Sequence, residues 1–268
     1  MESLSEDDTA AVIGRQPVLE ALQREDVGIE KVMLRQGASG SRIGEIRALA
    51  QKRRAPVQYV PEARLRHESD GAEHQGVVAI TAPFRYREVD DMLSEIAPSW
   101  ADVKAQTPLL LAIDRVTDPR NFGAILRSAV AAGTDGVIVP TREMAPLNAA
   151  AIKASAGTAP RIPVARTDDL PRVLTQVKER GYWVVGAEGT AETTLWDAEW
   201  DRPIVVVMGS EGEGLAPDVA EACDDLVSIP MRGPVESLNV SVAAGLLLFA
   251  AARPRTESGS ALSEETGG

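Results

Sequence analysis

The chain has one cysteine, two histidines, no apolar run of membrane length and a shortage of positive charge, and each lack removes a class of protein. Cys223 by itself forms no intramolecular disulfide, and with only His67 and His74 beside it a zinc site is not expected. The longest apolar stretch, Val240 to Ala252, falls short of the ~20 residues that cross a bilayer. The opening MESLSEDDTA is acidic, unlike a secretory signal or an Arg-rich transit peptide. The expectation is a soluble cytoplasmic protein with no metal and no membrane partner. What is present is globular material: 268 residues, 44% apolar and 25% charged, enough to bury a core in one large domain or two modest ones.

With 28 Lys and Arg against 40 Asp and Glu, the net charge of −12 argues at first against a nucleic-acid partner. The distribution argues the other way. Between Lys31 and Arg66 stand nine basic residues, among them Arg53, Arg54, Arg64 and Arg66, and only Glu45 and Glu62 oppose them. A solvated helix face explains such a run, and so does a footprint for phosphates on an otherwise acidic chain.

Short β-branched runs alternate with helical periodicity along the chain. Strands are expected at 31–34, 57–60 and 76–80 and helices at 17–24 and 42–52, a small α/β unit over residues 11–82. Residues 83–107, bracketed inside by Pro83 and Pro98, read as a linker carrying one amphipathic helix. Stronger strand signals follow at 109–113, 136–139, 183–185, 204–207 and 226–229, with helices between most of them. Apolar strands alternating with helices imply a mostly parallel sheet covered on both faces, here over residues 108–253. Residues 1–10 and 254–268 read as disordered tails.

Ligands of open parallel sheets sit beyond the carboxyl ends of the strands, so the loops there are informative. After 109–113 comes a polar loop in which Asn121 is placed to cap a helix that carries Arg127. After 204–207 comes Gly209-Ser-Glu211-Gly212-Glu-Gly214, whose glycines let backbone approach a ligand closely. Its spacing is neither the dinucleotide fingerprint nor a P-loop, and its glutamates would repel a pyrophosphate. After 226–229 comes Pro230-Met231, then Glu236-Ser237-Leu238-Asn239-Val240-Ser241, with more capping residues than one helix start needs.

Taken together, Asn-x-Gly-x-x-x-Arg, Gly-x-Glu-x-x-Gly-Leu and Ile-Pro-Met followed by Glu-Ser-Leu-Asn-Val-Ser-Val resemble the three motifs of the SpoU family over residues 108–252. These are S-adenosylmethionine-dependent RNA ribose 2′-O-methyltransferases of the knotted SPOUT superfamily. Ile13-Gly14-Arg15-Gln16-Pro17-Val18-Leu19-Glu20-Ala21-Leu22 and His74-Gln75-Gly76-Val77-Val78-Ala79 resemble the ends of the L30e-like substrate-binding domain that precedes it in many members, most of all the branch acting on a guanosine of 23S rRNA.

The resemblance implies a trefoil knot that holds the cofactor S-adenosylmethionine, a homodimer and an RNA substrate, 23S rRNA or a pre-ribosomal particle. It implies catalytic roles for Asn121, Arg127, Glu211, Ser237 and Asn239, and cofactor contacts from Gly209, Ile229, Met231 and Leu238. Arg53, Arg54, Arg64 and Arg66 would then contact RNA. A ribose hydroxyl is a weak nucleophile that must lose its proton, and a guanidinium is a poor base. Either a substrate phosphate helps Arg127 accept that proton, or Arg127 stabilises the alkoxide while the phosphate takes it. A tRNA or antibiotic-resistance rRNA methyltransferase shares the motifs, and an RNA-binding assembly factor would keep the fold without the chemistry. A nucleotide-dependent oxidoreductase lacks its glycine fingerprint.

Overall fold

The computed structural model describes residues 11–24, 28–81 and 84–264, with side chains up to Arg255. The expected acidic tail at 1–10 lies outside the described residues. The chain divides into two compact units, Met1–Arg85 with Pro146–Ala150, and Tyr86–Ala145 with Ala151–Gly268.

In the first unit a four-stranded sheet runs in the order β1 (Ala11–Ile13), β4 (Val77–Thr81), β2 (Ile29–Arg35), β3 (Val57–Val60). β4 is antiparallel to both of its neighbours, and β2 is parallel to β3. Side chains alternate across a strand. Val32, Leu34, Val77 and Ala79 therefore share a core with Val18, Leu22, Ile43 and Ile46 of α1 (Arg15–Gln23) and α2 (Ser41–Lys52). Met33, Val78 and Ile80 point the other way, onto Leu65 of α3 (Glu62–Glu68).

In the second unit seven strands form one sheet: β11 (Asp225–Val227), β9 (Trp183–Ala187), β10 (Ile204–Met208), β6 (Leu109–Ile113), β7 (Gly136–Pro140), β8 (Val164–Thr167), β5 (Arg87–Glu88). Every pairing is parallel. β6 and β10 are buried at every position, as central strands covered on both faces must be. One face buries Leu110, Ala112, Val205 and Val207 with Met92 and Leu93 of α4 (Val89–Ile96), Leu174 and Val177 of α8 (Leu170–Glu179) and Val219 of α9 (Pro217–Glu221). By alternation Leu111 and Val206 point to the opposite face, where α6 (Pro119–Ala131) and α10 (Val240–Glu264) pack together. The shorter α5 (Trp100–Gln106) and α7 (Ala149–Ala154) complete the set.

The strand order fixes where a ligand goes. β6, β7 and β8 step outward on one side; the chain then returns to β9 on the other, inserts β10 beside β6 and ends the sheet with β11. A reversal of this kind opens a crevice at the carboxyl ends of the strands beside it.

Three expectations need correction. Residues 83–107 are not a linker beyond their start: Arg87–Glu88 extend the sheet on β8, Val89, Met92 and Leu93 at helical spacing enter the core, and Ser99 Oγ caps α5 by accepting from Asp102 N. The segment from Pro254 is not a free tail as far as it is described, because α10 continues through that proline to Glu264. Its anchor is Arg255, whose guanidinium donates to the carbonyls of Thr107 at 2.9 Å, Trp200 at 3.2 Å and Arg202 at 2.6 Å, and to that of Ala251. Asn121 does not cap α6: Asp118 does, accepting from Arg120 N at 2.8 Å, with Pro119 in the first turn where its missing N–H costs nothing.

Candidate active site

A cavity of about 1020 Å³ opens beyond the ends of β9, β10 and β11. Its walls are the segments 187–189, 208–214, 227–231 and 236–240, and all four expected cofactor residues, Gly209, Ile229, Met231 and Leu238, line it. At Gly209 the turn leaves no room for a side chain. A Cβ there would stand 2.2 Å from the backbone carbon of Gly214, because the chain doubles back in a turn closed by Ser210 N to Gly214 O at 2.9 Å. Gly212 at φ 89° and Gly214 at φ 71° complete a turn that side chains would strain.

A staple on β6 holds this turn. Asp114, buried at the strand's end, accepts from Ala216 N at 2.8 Å. Arg115 bridges Asp114 at 3.3 Å, Glu213 at 3.0 Å and the carbonyl of Gly214 at 3.3 Å. Burial works to lower the Arg115 pKa, but the charge of Asp114 and the hydrogen bonds that Arg115 donates to both acids outweigh it and raise it above the ordinary arginine value. Sequence reading missed this pair; the only signal was a charged dipeptide directly after an apolar strand.

Three motif residues converge on one network. Asn121 Nδ2 donates to Glu211 Oε1 at 2.9 Å; Asn239 Nδ2 donates to the same oxygen at 2.8 Å and lies 3.0 Å from Asn121 Oδ1. The other end of the Asn239 amide accepts from Ser241 N at 2.9 Å at the start of α10. The three loops are thus tied by residues 118 and 28 positions apart, and Glu211 and Asn239 line the cavity. Ser237 lines the cavity without joining the network, and Arg127 is exposed, with no side-chain partner among the described residues. Glu188, which sequence reading passed over, also lines the cavity.

The four expected RNA-contacting arginines fare differently. Arg53 is committed to the carbonyls of Leu22, at 3.3 Å, and Arg24, joining the ends of α1 and α2. Arg64 pairs with Glu68 one helical turn on, at 2.6 Å, Arg54 is exposed at φ 55°, and Arg66 lines a cavity with three other arginines. His74 is a structural hydrogen-bonding residue, its Nδ1 accepting from Gly76 N at 3.0 Å.

A parallel sheet with a glycine-cradled, nucleotide-sized cavity at its strand reversal, closed by an Asn–Glu–Asn network, defines an α/β enzyme built around a small cofactor. The sequence pattern of the SpoU rRNA Methylase family matches residues 108–249, and that of RNA 2′-O ribose methyltransferase substrate binding matches residues 11–87. The chain belongs to the SpoU rRNA methylase family. It is 39% identical over 248 residues to a putative TrmH family tRNA/rRNA methyltransferase of Bacillus subtilis, YacO, covering 92% of this chain and 97% of the relative. Its fold is similar to that of the AdoMet-bound rRNA methyltransferase from Sinorhizobium meliloti, with a TM-score of 0.68, 28% identity and coverage of 92% of this chain and 88% of the other. It is also similar to the SpoU methyltransferase AviRb from Streptomyces viridochromogenes in complex with AdoMet, with a TM-score of 0.72, 25% identity and coverage of 93% and 91%.

Proposed function

We propose that this chain transfers a methyl group from S-adenosylmethionine to a ribose 2′-hydroxyl of RNA in the cytoplasm, the acceptor being a guanosine of 23S rRNA. The observation that carries this reading is the tie of Asn121 to Glu211 and Asn239, both of which line the cavity, beside a turn that leaves no room for a side chain at Gly209. The residues fit the cofactor. An opening lined by Gly209, Ile229, Met231 and Leu238 suits an adenine among apolar residues and a close-approaching glycine backbone, and Glu188 and Glu236 suit a cationic rather than a phosphorylated ligand. When bound, the cofactor supplies a methyl carbon activated by a sulfonium.

The chain's own work is alignment. Holding acceptor oxygen, methyl and sulfur in line is worth up to ~7–11 kcal/mol of barrier. Asn121 and Asn239, both anchored on Glu211, fix the loop beside the acceptor, and Ser237 stands ready to hold its ribose. Arg127 stays protonated and stabilises the developing alkoxide, while a substrate phosphate accepts the proton that the hydroxyl loses. That Arg127 has no side-chain partner among the described residues suits a site completed by a second copy. Val242, Leu246 and Phe249, all exposed along one face of α10, supply an apolar stripe for it. Likeness across both units to a protein described as an rRNA methyltransferase supports the rRNA acceptor. The joint tRNA/rRNA description of the Bacillus relative keeps tRNA as the second reading.

The test uses purified protein, S-adenosylmethionine with a labelled methyl, unmodified 23S rRNA and tRNA, and Arg127→Ala. The expected result is Arg127-dependent label in 23S rRNA as a 2′-O-methylguanosine, with cofactor affinity unchanged in the variant by calorimetry. Label in tRNA alone replaces the acceptor, and absence of cofactor binding overturns the reading.

A further inference from the structure

The first unit holds a cavity of about 800 Å³, which methyl transfer as described does not use. Arg15, Arg35, Arg42 and Arg66 line it, each from a different element: the starts of α1 and α2, the end of β2, and α3. Four guanidiniums gathered at one opening repel one another, an arrangement that an anion relieves.

Part of the wall is built. Arg15 Nε donates to the carbonyl of Gln75 at 3.0 Å, and Gln75 itself sits at φ 50°, a conformation that side chains rarely adopt. Arg35 reaches Glu62 Oε2 at 3.5 Å, and Glu62 Oε1 faces His74 Nε2 at 3.2 Å. Because His74 Nδ1 accepts from Gly76 N, its Nε2 carries the proton that Glu62 receives. His74, 8% exposed, thereby orients Glu62, and Glu62 orients Arg35. Arg42 and Arg66 differ: among the described residues nothing holds either guanidinium.

We propose that this cavity seats one phosphate-bearing nucleotide of single-stranded RNA, with Arg42 and Arg66 on the phosphate and Arg35, positioned through Glu62 and His74, against the base. Guanidiniums grip phosphate with paired charged hydrogen bonds and offer a flat face to an unstacked base, the form in which RNA sequence is read. The volume suits a nucleotide. A duplex would present its outer ridge of phosphates to a flat face, not a splayed base to a recess. The inference rests on the RNA-methyltransferase reading and locates a grip on the substrate apart from the methyl-transfer site.

The experiment compares full-length Arg42→Glu/Arg66→Glu with Arg47→Glu/Lys52→Glu, an equal charge change on exposed positions of α2 outside this cavity. Filter binding to transcribed 23S rRNA is followed between about 50 and 300 mM KCl, and binding of S-adenosylmethionine is measured separately by calorimetry. The cavity variant is expected to lose about tenfold or more in RNA affinity and to flatten the salt slope by about 0.7, the value for one phosphate contact on a single strand. The control is expected to stay within about threefold of the parent, and both variants to bind cofactor like the parent. A single-stranded RNA oligonucleotide should compete for the parent and a duplex of the same length should not. Equal losses in the two variants, or equal competition by the duplex, would overturn the proposal. Failure of every form to bind S-adenosylmethionine would defeat the methyltransferase reading instead, leaving the RNA comparison to stand by itself.

Discussion

Tyr182 is 3% exposed and its hydroxyl has no hydrogen-bond partner among the described residues, so it carries an unsatisfied polar atom into the core. Burial, aided by the charge of Asp135 and opposed by Arg180, pushes its pKa up to about 12 from an ordinary 10.0. The sign follows: between those two values the unfolded chain releases the proton and the folded chain does not, so stability present below pH 10.0 is lost as pH rises toward 12. Tyr182→Phe should therefore stabilise the protein by about 1 kcal/mol at neutral pH and remove part of the alkaline loss; denaturant melts on either side of pH 10 check both. At the same scale, Asn121, Glu211 and Asn239 were legible only because three separate loops matched a family's motifs. Their contact is invisible to spacing, since 118 residues separate the two asparagines. Asp114 and Arg115 escaped because one buried carboxylate beside one arginine is too common a pair to mark a site in sequence.

Long apolar strands and amphipathic helices announced themselves: Leu109–Ile113 and Val57–Val60 fall on the predicted residues. The elements that did not are short and bury little. α3 buries Leu65 alone, β8 carries Arg166 within four residues, and β5 is two residues added at an edge. Such elements take their shape from neighbours, which no local pattern encodes. The turn after β10 is a different case, in which one atom decides the element. Gly209→Ala would drive Gly214 and Leu215 from their present places, and S-adenosylmethionine affinity by calorimetry should fall about tenfold or more, with the far-ultraviolet dichroism unchanged. Arg255 shows the same at a helix end. Burial lowers its pKa against the pull of Asp135 and Asp201, so the guanidinium remains only because carbonyls surround it. Arg255→Ala should cost about 2–4 kcal/mol in denaturant melts and speed amide exchange in α10 beyond Ala251 while the start of the helix keeps its protection.

At the scale of the whole molecule, a net charge of −12 and an RNA substrate are reconciled by local segregation, with nine basic residues against Glu45 and Glu62 between Lys31 and Arg66 of the first unit. The second unit poses the assembly question. Where α6 and α10 meet, Gly245 lies against Ser128, a pair small enough for close approach, which leaves Val242, Leu246 and Phe249 on the outward side at 51%, 39% and 54% exposure. Spacings of four and three residues put them on one helical face. Exposed apolar stripes are costly unless covered, and a second copy covers a stripe with its own equivalent across a twofold axis. Leu246→Glu/Phe249→Glu sets a charge in the middle of that contact on both partners at once. Sedimentation should give a dimer for the parent and a monomer for the variant, with methyl transfer lost far more than cofactor affinity because Arg127 then lacks the neighbouring copy. A monomeric parent, or a dimeric variant, would mean that α10 is covered by something other than itself. Parent activity per chain should also rise with protein concentration in the range where sedimentation shows the dimer forming, since a site completed by two copies follows mass action. A specific activity independent of concentration across that range would place the whole site, Arg127 included, within a single chain.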